Sequence, residues 1–177
     1  MNVREQLDAL ITYTDWLRSE WRGHLTRTPS LLGEGVGSNG DGRFATIGHT
    51  IRHVFGAELR YVDRVLGRAA TDVSTVPPDQ VEPLFDLGAR SRAALNGLLE
   101  DLPGPSWDTV GVIGIGDFEF EGTPRKIVLH TVLHEIRHWA QLSTLTRLRG
   151  NGPGLHDFLL SPTLGGEFRK KGNGGSL

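Results

Sequence analysis

The sequence predicts an all-α protein, a four-helix bundle with a small β-hairpin before the last long helix. Three observations predict it. Four long segments carry apolar side chains at the helical spacing of three and four. The 24 glycines concentrate between those segments rather than inside them. One stretch of period-two alternation stands just before the fourth. Helices of this kind bury one stripe each, and bundles build their ligand sites in the core from side chains on facing helices.

Residues 3–25 place Leu7, Leu10, Ile11, Thr14, Leu17 and Trp21 on one face, which predicts the first helix. The glycine-rich run from Gly33 to Gly42 reads as a surface loop whose one packing side chain is Val36. Thr46 suits the cap of a second helix reaching to about Gly67, with Ile47, Ile51, Val54, Val62 and Val65 in its stripe. Gly67 suits a left-handed stop. The third helix is read over residues 79–101, with Pro77 and Pro78 before it, Asp79 as cap, and Gly88 and Gly97 as local weak points.

Residues 109–113 and 117–121 read as the two strands of the hairpin. Thr123 followed by Pro124 is a cap followed by proline in the first turn, and the fourth helix runs from there to Leu148 before Arg149-Gly150 closes it. Leu155 to Leu160 has room for one further turn. A single domain over 1–165 is expected, with 166–177 as a disordered tail.

Composition narrows the function. The 177 residues carry Lys+Arg 19 against Asp+Glu 21, a net charge of -2, so there is no basic surplus to neutralise a phosphate backbone and no nucleic-acid partner is expected. No segment approaches the roughly 20 uncharged apolar residues that span a bilayer, so no membrane partner is expected and a cytoplasmic location is the default. With Cys 0, disulfides, thiolate metal sites and cysteine nucleophiles are excluded. Any metal must be held by histidine and carboxylate.

Five of the 7 histidines fall in two clusters, His49 and His53 on the second helix, and His130, His134 and His138 on the fourth. Every gap within a cluster is four residues. Four residues advance an α-helix by about 400°, which leaves successive side chains about 40° apart on one face. Two such imidazoles can reach one ion, and a third from the neighbouring helix would leave a position open for water or substrate, the geometry of a catalytic rather than a structural metal. The plainer alternative is a set of imidazoles turned to solvent or bonded to carbonyls. Against it stand the apolar neighbours Ile51, Val54, Phe55, Val128, Leu133, Ile136 and Ala140, since imidazoles facing a bundle interior carry a desolvation cost that a shared metal relieves.

His134-Glu135-Ile136-Arg137-His138 matches H-E-x-x-H, in which the glutamate of a zinc protease acts as general base. The match is incomplete. Gln141 and Thr144 stand where the extended protease motif needs glycine and a third histidine.

Longer motifs carry a family resemblance. His53-Val-Phe-Gly-Ala-Glu58-Leu-Arg-Tyr61 followed by Leu66-Gly67, and His130-x-x-x-His134-Glu-Ile-x-His138-x-x-Gln141 followed by Leu148-Arg149, resemble the two signature helices of the DinB/YfiT-like superfamily of metalloenzymes. Tyr13-x-x-Trp16 resembles that family's opening helix, and Asp157-Phe158 its usual ending. The resemblance implies an up-down-down-up bundle, a divalent ion held by His53, His134 and His138, zinc or nickel ahead of iron or manganese, and a homodimer. It also implies a small-molecule substrate, with a low-molecular-weight thiol as candidate partner, because relatives include S-transferases that use bacillithiol or mycothiol and a mycothiol-dependent maleylpyruvate isomerase. Arg137 and Trp139-Ala140 depart from the residues most common beside the last ligand.

Catalytic residues are not assigned by sequence. Glu135 sits about 100° around the helix from His134, which favours a supporting or surface role over catalysis, and Glu58 reads as structural. His49 and His130 lie one turn before ligand positions, where they line a cavity or serve as ordinary core or surface imidazoles. Gln141 shapes the site or buttresses the bundle, Arg137 reads as a solvated side chain paired with an acid, and Trp16, Trp21 and Trp139 read as core or dimer contacts. Three functional classes stay open: a thiol-dependent transferase or isomerase, a metal-dependent hydrolase, and a non-catalytic metal-binding stress protein.

Overall fold

Four helices carry the chain in the computed structural model, which describes residues 3–37, 44–101, 104–115 and 118–166: α1 (Val3–Arg27), α2 (Ile47–Val65), α3 (Val81–Asp101) and α4 (Pro124–Leu148). Strands β1 (Gly111–Ile115) and β2 (Phe118–Gly122) pair antiparallel, with Gly111 opposite Gly122 and Ile113 opposite Phe120. Short 3-10 turns occupy Pro29–Gly33, Gly104–Asp108 and Phe158–Leu160.

Local chemistry sets most of the boundaries. Thr46 is extended and its side chain accepts from His49 N, and Thr123 does the same for Lys126 N with Pro124 beginning the helix. Both helices end on glycine in the left-handed region, Gly67 at φ 65° and Gly150 at φ 73°. In each case the next residue donates back into the last turn, Arg68 N to Asp63 O at 2.7 Å and Asn151 N to Thr146 O at 2.9 Å.

Two expectations need correction. Helix α3 starts at Val81 rather than 79: Leu84 N donates to Gln80 O at 3.4 Å, so Asp79 stands one position outside the cap. The strands lie slightly later than read, because the 3-10 turn at Gly104–Asp108 runs on to Thr109, whose N–H donates to Ser106 O at 3.4 Å. Gly88 also has a packing role inside α3. A Cβ there would stand 3.0 Å from the Phe55 ring, so glycine is what lets α2 and α3 approach. Of the glycine-rich run, Val36 is buried as expected; residues 38–43, like the tail beyond 166, lie outside the described residues.

Two apolar clusters fix the direction of each helix. One gathers Leu17, Trp21 and Leu25 from the end of α1, Ile47, Ile51 and Phe55 from the start of α2, Leu84 and Leu87 from the start of α3, and Trp139, Leu142 and Leu145 from the end of α4. The other gathers Leu7 and Ile11, Val62, Leu95, Leu98 and Leu99, and Val128 and Val132. With α1 rising, α2 and α3 therefore descend and α4 rises, the up-down-down-up order. The parallel pair α2 and α3 needs a long return, and residues 66–80 supply it, tucking Val73 inward. Gly48 passes so close to that return that a Cβ would meet Pro78 O at 1.7 Å. The chain beyond α4 folds back on α1, where Tyr13 Oη donates to His156 O at 2.8 Å and the Tyr13 ring meets Phe158 edge-on at 5.0 Å. No helix among the described residues is long and apolar enough to cross a membrane.

Candidate metal centre

Helices α2 and α4 run antiparallel side by side, and their facing stripes bring three imidazoles to one point. His134 Nε2 lies 3.1 Å from His53 Nε2 and 3.2 Å from His138 Nε2. One ligand atom from each of the three falls within 4.8 Å of the others, an arrangement that can hold a metal ion. Donors held by an ion at 2.0–2.1 Å in tetrahedral geometry stand about 3.3–3.4 Å apart, so two of the three spacings already approach what a bound ion needs. His138 is buried and the other two are half-buried, which leaves one side of the cluster open.

Burial, and after it the neighbouring His138 and His53 rings, push the His134 imidazole down from 6.5 to about 3. It is neutral at physiological pH, the form that ligates metals. The same shift couples to folding. The unfolded chain takes up this proton near 6.5 while the folded one resists until about 3, so metal-free protein loses stability as pH falls through that window. Thermal melts of metal-free protein are expected to show a drop in Tm across this range that is shallower in His134→Gln. Equal slopes in the two proteins would contradict the placement of His134.

Around the triad, the Phe44 ring lies over His53 with centroids 4.3 Å apart. The His130 ring lies 5.7 Å from that of His134, and its Nε2 is 3.2 Å from Tyr61 Oη. His49 is drawn away, its Nδ1 2.8 Å from Thr46 Oγ1 at the helix cap. Gln141 points outward and is exposed. Arg137 is exposed as expected, but no acid pairs with it among the described residues, and its charge helps lower His134 and His130.

Residues 4–142 match the DinB superfamily, a span that takes in α1 to α3, the hairpin and every member of the triad. The chain belongs to the DinB superfamily. No curated protein matches it.

In this DinB protein Glu135 is neither a surface side chain nor a base aimed at the triad. Its carboxylate is 2% exposed in the residue as a whole and is fully bonded: Arg18 Nε donates to Oε1 and Arg18 Nη2 to Oε2, both at 2.7 Å, Arg92 Nη2 to Oε2 at 2.9 Å, and Trp139 Nε1 to Oε1 at 3.0 Å. Arg18 Nη2 also donates to Glu58 Oε2, and Arg18 Nη1 to Gly88 O at 2.7 Å. Each of the four helices thus contributes one buried charge, Arg18, Glu58, Arg92 and Glu135, a tetrad that is neutral overall, and the half-exposed Asp15 of α1 stands 3.0 Å from Arg92 Nε at its edge. Burial alone would raise Glu135, but the charge and hydrogen bonds of Arg18, then Arg92, outweigh it and hold the carboxyl below its ordinary value. Burial raises Glu58 despite the same two guanidinium groups.

The H-E-x-x-H match is therefore split by the fold: its histidines face the triad and its glutamate faces the charge tetrad. Trp139 stacks on Trp21 at 5.2 Å inside the core, and Trp16 packs half-buried at its edge. Sequence reasoning did not single out Arg18, Arg92 or Phe44. The available signal for the first two was a guanidinium set among buried positions, Arg18 between Leu17 and Trp21, and Arg92 between Ser91 and Leu95.

Proposed function

We propose that this chain is a divalent-metal-dependent enzyme in which His53, His134 and His138 hold the ion and leave at least one coordination position for a reacting group. The convergence of three Nε2 atoms from two helices carries the reading. Three imidazole donors with no thiolate suit zinc or nickel ahead of iron or manganese. Such an ion would lower the pKa of a water or thiol presented to it and so supply a nucleophile near neutral pH.

The rest of the machinery is the chain's own. Phe44 covers one side of His53 and limits water there. Tyr61 Oη and His130 Nε2, paired at 3.2 Å, are polar groups beside the triad placed to orient a substrate. Glu135 holds no proton for the reaction because its acceptors are occupied by Arg18, Arg92 and Trp139. Among reaction classes, membership of the DinB superfamily favours a small-thiol-dependent S-transferase, in which the thiol gives up its proton and its sulfur displaces a leaving group from an electrophilic carbon, or an isomerase, in which the thiol adds to such a carbon and is expelled again as the proton returns to it.

Incubating zinc- or nickel-loaded protein with bacillithiol or mycothiol and an alkylating electrophile tests this. Metal-dependent conjugation, absent from His53→Ala, is the expected result. Turnover that needs metal but no thiol would replace it with a hydrolase, and an inert protein with a firmly held ion would replace it with a non-catalytic metal binder.

A further inference from the structure

Beside the triad, the hairpin, the first turns of α4 and Tyr61 of α2 border a half-open pocket of about 260 Å³, lined by Tyr61, Phe120, Lys126, Ile127 and His130. Its two ends differ. At the inner end the Tyr61–His130 pair adjoins the His134 ring. At the outer end Lys126 Nζ lies over the Phe120 ring, 5.2 Å from its centroid. No carboxylate neutralises that amine among the described residues. Asp108 is taken by Arg125 at 2.7 Å, and Glu119 and Glu121 flank Phe120 on β2, so they project from the opposite face of the strand. The wall between the two ends is apolar, made by Phe120 and Ile127.

We propose that this cavity is the substrate subsite of the metal centre and that it selects a small carboxylate. The acid group pairs with Lys126, the apolar body lies against Phe120 and Ile127, and the far end reaches the triad past His130 and Tyr61. The proposal rests on the metal-enzyme reading above and adds the class of substrate to it. Size supports a small molecule, since drug-sized ligands occupy pockets of about 300–1,000 Å³ and this one falls below that range. Reach supports it too. The eight residues from Lys126 to His134 rise about 12 Å along the helix, a span that the lysine stem and a short acid cover together. Lys126 is a binding residue here, and the fit of charge at one end and reactivity at the other would set which electrophile enters.

The test is equilibrium binding of phenylacetate and of its neutral counterpart phenylacetamide, each titrated into zinc-loaded and into metal-stripped protein and followed by saturation-transfer NMR. Metal-stripped protein is expected to prefer the carboxylate. Lys126→Met is expected to weaken phenylacetate by about fivefold or more while leaving phenylacetamide binding and zinc content unchanged. Equal affinity for the two probes, or phenylacetate binding untouched by Lys126→Met, would overturn the subsite. A carboxylate preference seen only with zinc present would overturn it as well, because the acid would then be sitting on the metal. The metal reading fails separately: a protein that binds no zinc yet keeps the Lys126-dependent preference supports the subsite and contradicts the metal centre.

Discussion

Replacing Glu135 with alanine is expected to destabilise the fold by about 3–5 kcal/mol, the cost of leaving a buried opposite charge without its partner. The size follows from imbalance. The tetrad is neutral with Arg18 and Arg92 set against Glu58 and Glu135, and each of these side chains is buried. Without Glu135, the two guanidinium groups share the buried carboxylate of Glu58, Arg92 keeps the half-exposed Asp15 at 3.0 Å from its Nε, and Trp139 Nε1 loses its acceptor in the core. Replacing all four charges with apolar residues of similar volume would cost far less, because buried ion pairs contribute little beyond their own desolvation. Glu135→Gln keeps the volume and part of the hydrogen bonding, and is expected to fall between wild type and Glu135→Ala. Guanidinium denaturation of the three proteins measures this. An alanine variant as stable as wild type would contradict the tetrad, and a glutamine variant that keeps fold and metal but loses all turnover would return Glu135 to catalysis.

That assignment marks where the sequence stopped being sufficient. The caps of α2 and α4 were legible because Thr46, Thr123 and Pro124 act on backbone groups within a turn of themselves. The apolar stripes were legible for the same reason of short range, and so was the sharing of one helix face by His134 and His138. Contacts between distant segments were not. Arg18 and Glu135 are 117 residues apart, and His53 and His134 are 81 apart. Spacing alone placed His49 and His53 on one face equally well. What separates them is height along α2, since His53 stands level with His134 on the antiparallel α4 while His49 sits one turn above and bonds to the Thr46 cap. The family's motif selected His53 where periodicity could not. The hairpin shifted because Thr109 and Val110, β-prone by composition, follow a 3-10 turn that no residue pattern announced.

The second large effect concerns the triad itself. His53 is the one member from α2, so His53→Ala leaves two imidazoles on a single helix, a set too small to retain an ion against dilution. Loss of metal should also show as loss of stabilisation. An ion present at about 1,000 times its dissociation constant adds about 4 kcal/mol to a protein that binds it only when folded, so zinc is expected to raise the Tm of wild type and leave that of His53→Ala in place. The fold should survive the substitution, because His53 is half-buried and the apolar residues around it, Ile51, Val54 and Phe55, are untouched.

Elemental analysis of protein purified without an affinity tag is the most direct test of a three-histidine metal centre. Wild type is expected to carry about one divalent ion per chain and His53→Ala less than about a tenth of that. Equal metal content in the two proteins, or none in wild type after exposure to zinc and nickel, would contradict it.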